Sequence, residues 1–384
     1  MMKINHDDFL SVAKIAAILG ENGFDFKPEY FLALSPYTAE NIMVHVQSGP
    51  IQARMSLPVT ENTMGDKGFC LPRNECVRFL GASNSDTVSI QVDDRIARIR
   101  SGRSSMKAVT ISIDSFPLAV PIGDTLLSIE VDATTLKAAL ALAVVGNTGL
   151  GEPQGVYFHP YLGDLHIYST DGKVISHSAI KMDMLKTDDA KHENASTVPL
   201  KIAQTLLKAF KHFDKERIQI HFTENGLIFS DVGNTWNIHT QIVDNPKRFP
   251  WEAYILNAKY VLLCVITDNE RMTETLDIST SISSDKLNAI ALSVAEDNIL
   301  SLSMNNDRGE SKSAFEVETH NPYQMFTSSA PVHAFLGFCR KYGNNGVLHL
   351  GRLDMPNTIP LKLSYEGDDR FVISPSMSIA PCTG

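Results

Sequence analysis

The sequence repeats itself three times, and this repeat constrains the fold more than any other feature. Three segments begin with an apolar or small residue before a proline, take up the apolar spacing of a helix, and end in alternating runs. They are LPRNECVRFLGAS from Leu71, VPLKIAQTLLKAFKHF from Val198 and APVHAFLGFCRKYG from Ala330. Their prolines, Pro72, Pro199 and Pro331, lie 127 and 132 residues apart. Proline suits the first turn of a helix, because the amide it lacks would have no intrahelical partner there. A period of this kind marks a chain built from copies of one structural unit.

The runs after each helix repeat as well. TVSIQV, RIARIRSG and SMKAVTISI come after the first and close at Phe116-Pro117. RIQIHF, GLIFSD and WNIHTQIV come after the second and close at Phe249-Pro250. GVLHLG, IPLKLSY and RFVIS come after the third and close at Pro375. Alternation of apolar and polar residues is the pattern of half-buried antiparallel strands. A second helix is expected upstream in each copy, opened by a short polar cap at Asn5, Asp132 and Asn257. Asn and Asp side chains accept the orphan amide hydrogens at a helix start. The fold class is therefore α+β: three similar domains, each with two helices packed on antiparallel sheet. They cover residues 1–121, 122–255 and 256–384, and the polar stretch 184–196 reads as a connection inside the second.

Length and composition agree with this division. A chain of 384 residues exceeds one ordinary core, and 43% hydrophobic with 20% charged residues is the content of a folded protein. The longest apolar run, residues 136–146, is about half of the ~20 residues needed to span a bilayer. MMKINHDDFL has no apolar core of a secretory signal. Five scattered cysteines, Cys70, Cys76, Cys264, Cys339 and Cys382, read as reduced thiols in the cytoplasm. The sequon at Asn194 then has no consequence. A net charge of −10 argues against binding nucleic acid by bulk charge, so any such role depends on where the cations sit.

The ordered pieces carry a family resemblance over nearly the whole chain. GFCLPRNECVRFL, then IARIRSGRSSMKAVTI, then SFP in the first copy, and QGVYF, LHIYSTDGKVISHSAI and PKRFPWEAYI in the second, resemble the β sliding clamps of bacterial DNA polymerase III. The resemblance implies head-to-tail dimers of three-domain subunits that form a ring around duplex DNA, with helices lining the hole and sheets outside. It implies a non-enzymatic processivity factor whose partners are double-stranded DNA, a second copy, and a DNA polymerase and clamp loader bound through a short linear peptide. Topological linkage retains a polymerase without tight contacts, so an acidic chain fits this role.

On the second copy's helix, steps of 100° put Ile202, Leu206, Ala209, Phe210 and Phe213 on one side and Lys201, Lys208, Lys211 and His212 on the other. A lone helix of this kind would read as a solvated surface; its one-sign charge in an acidic chain supports a pore lining. Arg73, Arg78, Lys137, Lys259, Arg340 and Lys341 are the corresponding cations of the other helices. The resemblance places a peptide pocket at Thr170, Gly172, Lys173, Val174 and Ile175, with Pro250, Tyr254 and Ile255, and with Ser374, Pro375 and Ser376. The family's Met-Pro-Met stands here as Ser374-Pro375-Ser376, and the chain runs on to Gly384. Gly151-Glu152-Pro153 replaces aromatic residues that can touch DNA in the family. Met106 and Ala108, on the strand beside the Arg-Ser-Gly-Arg-Ser turn, are the candidate dimer contacts.

Enzyme readings find little. GNTGLGE, at residues 146–152, lacks the Gly-Lys-Ser/Thr ending of a phosphate loop and follows a helix. No cofactor motif, nucleophile elbow or metal-spaced histidine set is present. Two other readings stay open: a clamp-fold scaffold that does not encircle DNA, and a hydrolase built of repeated α+β domains.

Overall fold

The computed structural model describes residues 1–20, 30–62, 67–117, 123–145, 147, 155–187, 195–213, 215–243, 253–254, 257–283, 289–342, 347–354, 360–365, 371–374 and 376–378. Residues 151–153, Pro250, Ile255, Pro375 and Cys382, all singled out from the sequence, lie outside the described residues. Each copy opens with a strand that runs into a helix. Met2–Asn5 leads to α1 (His6–Leu19), and Thr125–Asp132 leads to α3 (Ala133–Val145). Each then has a strand before a second helix: α2 (Arg73–Ala82), α4 (Leu200–Phe210) and α6 (Ser329–Tyr342), with Pro331 in the first turn of α6. Pro72 and Pro199 occupy the cap position itself, with φ of −65° and −53°. Asn5 caps α1 as expected, its side chain accepting from the amides of Asp7 and Asp8 at 2.9 and 3.1 Å.

The third copy corrects the sequence reading. Lys259–Ile266 is a strand, and the helix, α5, spans Asn269–Ser279 with Asp268 as its cap. The seven residues after Lys259, YVLLCVI, are strand as readily as helix by periodicity alone, and the strand pairs on both sides, with Glu318–Thr319 and Leu348–Asp354. Lys259 therefore sits on a strand, not a helix. The polar connection after Met184 also begins later than expected, since the strand Ile175–Thr187 runs through it.

The described residues form two compact units, Met1–Thr134 with Met182–Ile242, and Thr135–Lys181 with Val243–Gly384. In the first, strand Ile51–Asn62 pairs antiparallel with Trp236–Gln241, so that Ala53 faces Ile238 and one sheet continues from the first copy into the second. Its core includes Phe9, Leu34, Val44, Phe210, Phe222 and Phe229, each fully buried. In the other unit, Ile175–His177 pairs antiparallel with Phe371–Ile373. That junction carries the sheet from the second copy's meander into the third copy. The core there includes Phe158, Ile167, Leu276, Leu302 and Phe335.

The same junction is thus used twice. Each time the third strand of a copy's meander pairs with the third strand after the next copy's second helix. Two strands in these positions lack that pairing among the described residues. Gly309–Glu316, the third meander strand of the last copy, pairs with Ile299–Asn306 alone, and Ser104–Val109, the third strand after the first copy's second helix, pairs with Ile96–Ser101 alone.

Candidate functional site

The turn after strand Asp164–Thr170 is held by its own side chains. Asp171 Oδ1 accepts from the amides of Lys173 and Val174 at 3.0 and 2.8 Å, and Thr170 Oγ1 accepts from Gly172 at 3.0 Å. Gly172 has a φ of +84°, in the left-handed region that glycine adopts without strain. Asn147 donates to the Thr170 carbonyl at 3.0 Å, tying the turn to the residues after α3. Ser169 donates to the Ala143 carbonyl of α3 and lies 2.9 Å from Ser176 Oγ. Thr170, Asp171, Val174 and Ile175 are buried, while Gly172 and Lys173 are exposed.

Beyond the turn, Ile175 and Leu353 form an apolar cluster with Tyr254, Ala258 and Tyr260 packed against it. Ile175, Ile373, Lys362 and Gly351 lie opposite one another on four adjacent strands. Gly351 is required there, because any Cβ would run into the Tyr260 ring. The ring carries Lys362 Nζ at 4.9 Å from its centroid. Burial pushes the Tyr260 hydroxyl up to about 12. The structure thus brings Thr170–Ile175 and Tyr254 to one sheet face with the strand Phe371–Ser374. Tyr260, Leu353 and Lys362 belong to the same patch and are not legible from motifs; their strand pairing is the only signal that joins them.

The cations divide. On α4, Ile202, Leu206, Ala209 and Phe210 are buried and Lys201, Lys208, Lys211 and His212 are exposed, with no ion pair to any of the four among the described residues. Phe213 stacks on Trp236 at 4.1 Å, anchoring the end of the helix. Arg78 is exposed and lies 3.6 Å from Glu75. Arg340 and Lys341 are exposed at the end of α6, Lys137 is half-buried, and Lys259 is exposed on its strand. Arg73 is the exception. It is fully buried, so it offers no charge to a surface.

On the free edge of the first copy, Ala108 is buried and Met106 partly so; the side chains the strand presents to solvent are those of Ser104, Ser105, Lys107 and Val109. Val109 faces Ile96, and both are exposed, at 51% and 46%. Arg95, Arg98, Arg100, Arg103 and Lys107 are exposed around them and make no ion pair among the described residues. On the other free edge, Glu310 and Glu316 flank Lys312, and Ser311 donates to the Ile278 carbonyl at 2.7 Å, placing the exposed Ile278 of α5 beside it.

Cys70, Cys76, Cys264 and Cys339 are buried free thiols, and burial pushes Cys70 and Cys264 up to about 12. No described helix is long and apolar enough to cross a membrane.

No protein-family model matches the chain, and no curated protein matches it in sequence. Solved structures do match. The DNA polymerase III subunit beta from Pseudomonas aeruginosa is 16% identical, with a TM-score of 0.84 over 99% of this chain and 100% of that one. The beta subunit from Thermotoga maritima is 14% identical, with a TM-score of 0.81 over the same shares. The Helicobacter pylori beta clamp, solved bound to a DNA ligase peptide, is 13% identical, with a TM-score of 0.78 over 98% of this chain and 99% of that one. The chain has the fold of the bacterial sliding clamps, and the α+β expectation holds.

Proposed function

We propose that this chain is a divergent DNA sliding clamp: a non-enzymatic, cytoplasmic homodimer of three-domain subunits, divided near residues 121 and 255, that encircles duplex DNA and tethers a polymerase. The observation that carries the reading is the pair of leftover strand edges. The chain joins its copies by one antiparallel junction, used twice. A third use would need strand Gly309–Glu316 to find the third strand after the second helix of a first copy, and the Ser104–Val109 edge of another chain is that strand. Such a contact is heterologous, and it repeats until the ring closes. The cations around Val109 would meet Glu310 and Glu316, which flank Lys312, across such a contact.

The exposed cations of α4, with Arg78, Lys137, Arg340 and Lys341, would face phosphates inside the ring and carry no sequence information. The patch around Ile175, Leu353 and Tyr260 would take the short linear peptide of a polymerase or loader, as the Helicobacter pylori clamp takes a ligase peptide. Pro250, Ile255, Ser374, Pro375 and Ser376 are assigned to that pocket by resemblance. The test is sedimentation at micromolar concentration with edge variants. Val109→Asp and Ile278→Asp should each leave a folded monomer; dimers that persist in both would remove the closure argument.

A further inference from the structure

We infer that the first copy holds a binding site for a small amphipathic anion, an apolar body with one acidic group, in a cleft overlooked by Lys67 and Arg95. The cleft measures about 820 Å³, and all the described residues that line it belong to the first copy of one chain. Ligand pockets run from roughly 300 to roughly 1,000 Å³, so a small molecule fits inside. The floor is apolar: Phe69 and Ile90 are buried, and Val92 and Ile111 are half-buried. Ile111 packs in turn on the core cluster of Phe31, Cys70 and Phe116. The exposed Val109 adds an apolar wall.

The backbone shapes the rim. A Cβ on Gly68, which lines the cleft, would come within 2.5 Å of the Leu34 carbonyl oxygen, so the position stays without a side chain. Asp94 and Arg95 form the two-residue turn between Asp93 and Ile96, with Asp94 at a φ of +52°. The Thr110 amide donates to the Arg95 carbonyl at 2.8 Å and ties that turn to the chain after Val109. Lys67 and Arg95 are exposed and make no ion pair among the described residues. Asp94 is the one carboxylate among the described lining residues, and Asp114 nearby accepts from Ser112 Oγ at 3.0 Å. Two cations against one carboxylate leave a local positive excess in a chain of net charge −10. An acidic group at the rim with an apolar body on the floor satisfies both parts of the cleft.

The experiment is fluorescence titration of the full chain with two dyes that share an aromatic body. One is anilinonaphthalene sulfonate, an anion, and the other is phenylnaphthylamine, its uncharged counterpart. Wild type should bind the sulfonate about fivefold more tightly than the uncharged dye, the gain that exposed charge contacts allow. The gap should close as salt rises from about 0.05 to about 0.5 M. Lys67→Glu with Arg95→Glu should weaken sulfonate binding about tenfold and leave the uncharged dye within about twofold, since the apolar floor is untouched. Val109 and Arg95 also belong to the edge that closes the proposed ring, so a further variant separates the two readings. Ile278→Asp removes the partner's side of that contact without touching the cleft, and it should bind the sulfonate as wild type does. Sulfonate binding that vanishes with the dimer would place the site between chains and overturn the inference. Equal affinity for the two dyes, binding of neither, or binding unaltered by the double variant would overturn it as well. So would binding lost on Ile175→Asp, which would locate the dye at the peptide patch.

Discussion

The guanidinium of Arg73 fills the space that a side chain on Gly20 would need. Gly20 closes α1 with an ordinary extended backbone, φ −93°, so its identity is set by this contact and not by its conformation. Arg73, fully buried, brings its charge to the carbonyl end of α1, where the helix dipole is negative. Gly20→Ala should therefore destabilise the first unit by about 1–3 kcal/mol, the usual cost of overpacking. Urea unfolding of the variant checks this, and an unchanged midpoint would show that Arg73 moves aside freely.

One polar sheet face of the first unit should make the protein acid-sensitive. His45 pairs with Ser35 at 2.9 Å and is held down at about 4 by burial and then by Arg54 beside it. His221, between Ser128 and Ser230, and His239 are lowered by burial as well. An unfolded histidine takes up its proton near pH 6.5, so between there and about 4 the unfolded chain holds more protons than the folded one. Stability should fall as pH drops through that window. His45→Gln should flatten the slope of the urea midpoint between about pH 7 and about pH 5; an unaltered slope would place the acid sensitivity elsewhere.

The lysines of α4 test the pore. Lys201→Glu, Lys208→Glu and Lys211→Glu together should leave the fold intact, because all three stand opposite the buried stripe. Retention on DNA should fall steeply, since in the proposed dimeric ring six charges facing phosphate would change sign. Phe210→Ala, on the other face, should instead cost about 3–5 kcal/mol of stability. A triple variant that stays on DNA as well as wild type does would turn these lysines outward.

Much of the fold is readable in the residues, and the failures have physical causes. The proline-led helices and the cap at Asn5 stand out because capping is local chemistry. Asn257 misleads because YVLLCVI after Lys259 shows no helical or strand period of its own, and what makes it a strand is pairing with residues far along the chain. Arg73 misleads for the opposite reason. Its position on the helix fits an exposed face, and only the glycine at position 20 opens the hole it enters. The turn at residues 170–174 is visible as a motif, whereas Tyr260 and Lys362 join it through strand register alone.

The most direct measurement of ring closure needs no loader. The protein is incubated with linear DNA, the DNA is closed into a circle by ligation, and the complex is passed through gel filtration at high salt. A topological ring, at twice the 42.3 kDa of one chain, should stay with the circle and leave when a single restriction cut opens it. Contacts to phosphate alone would be stripped by the salt from circle and line alike. Protein lost from the closed circle at high salt, or retained equally after the cut, would contradict encirclement of DNA by this chain.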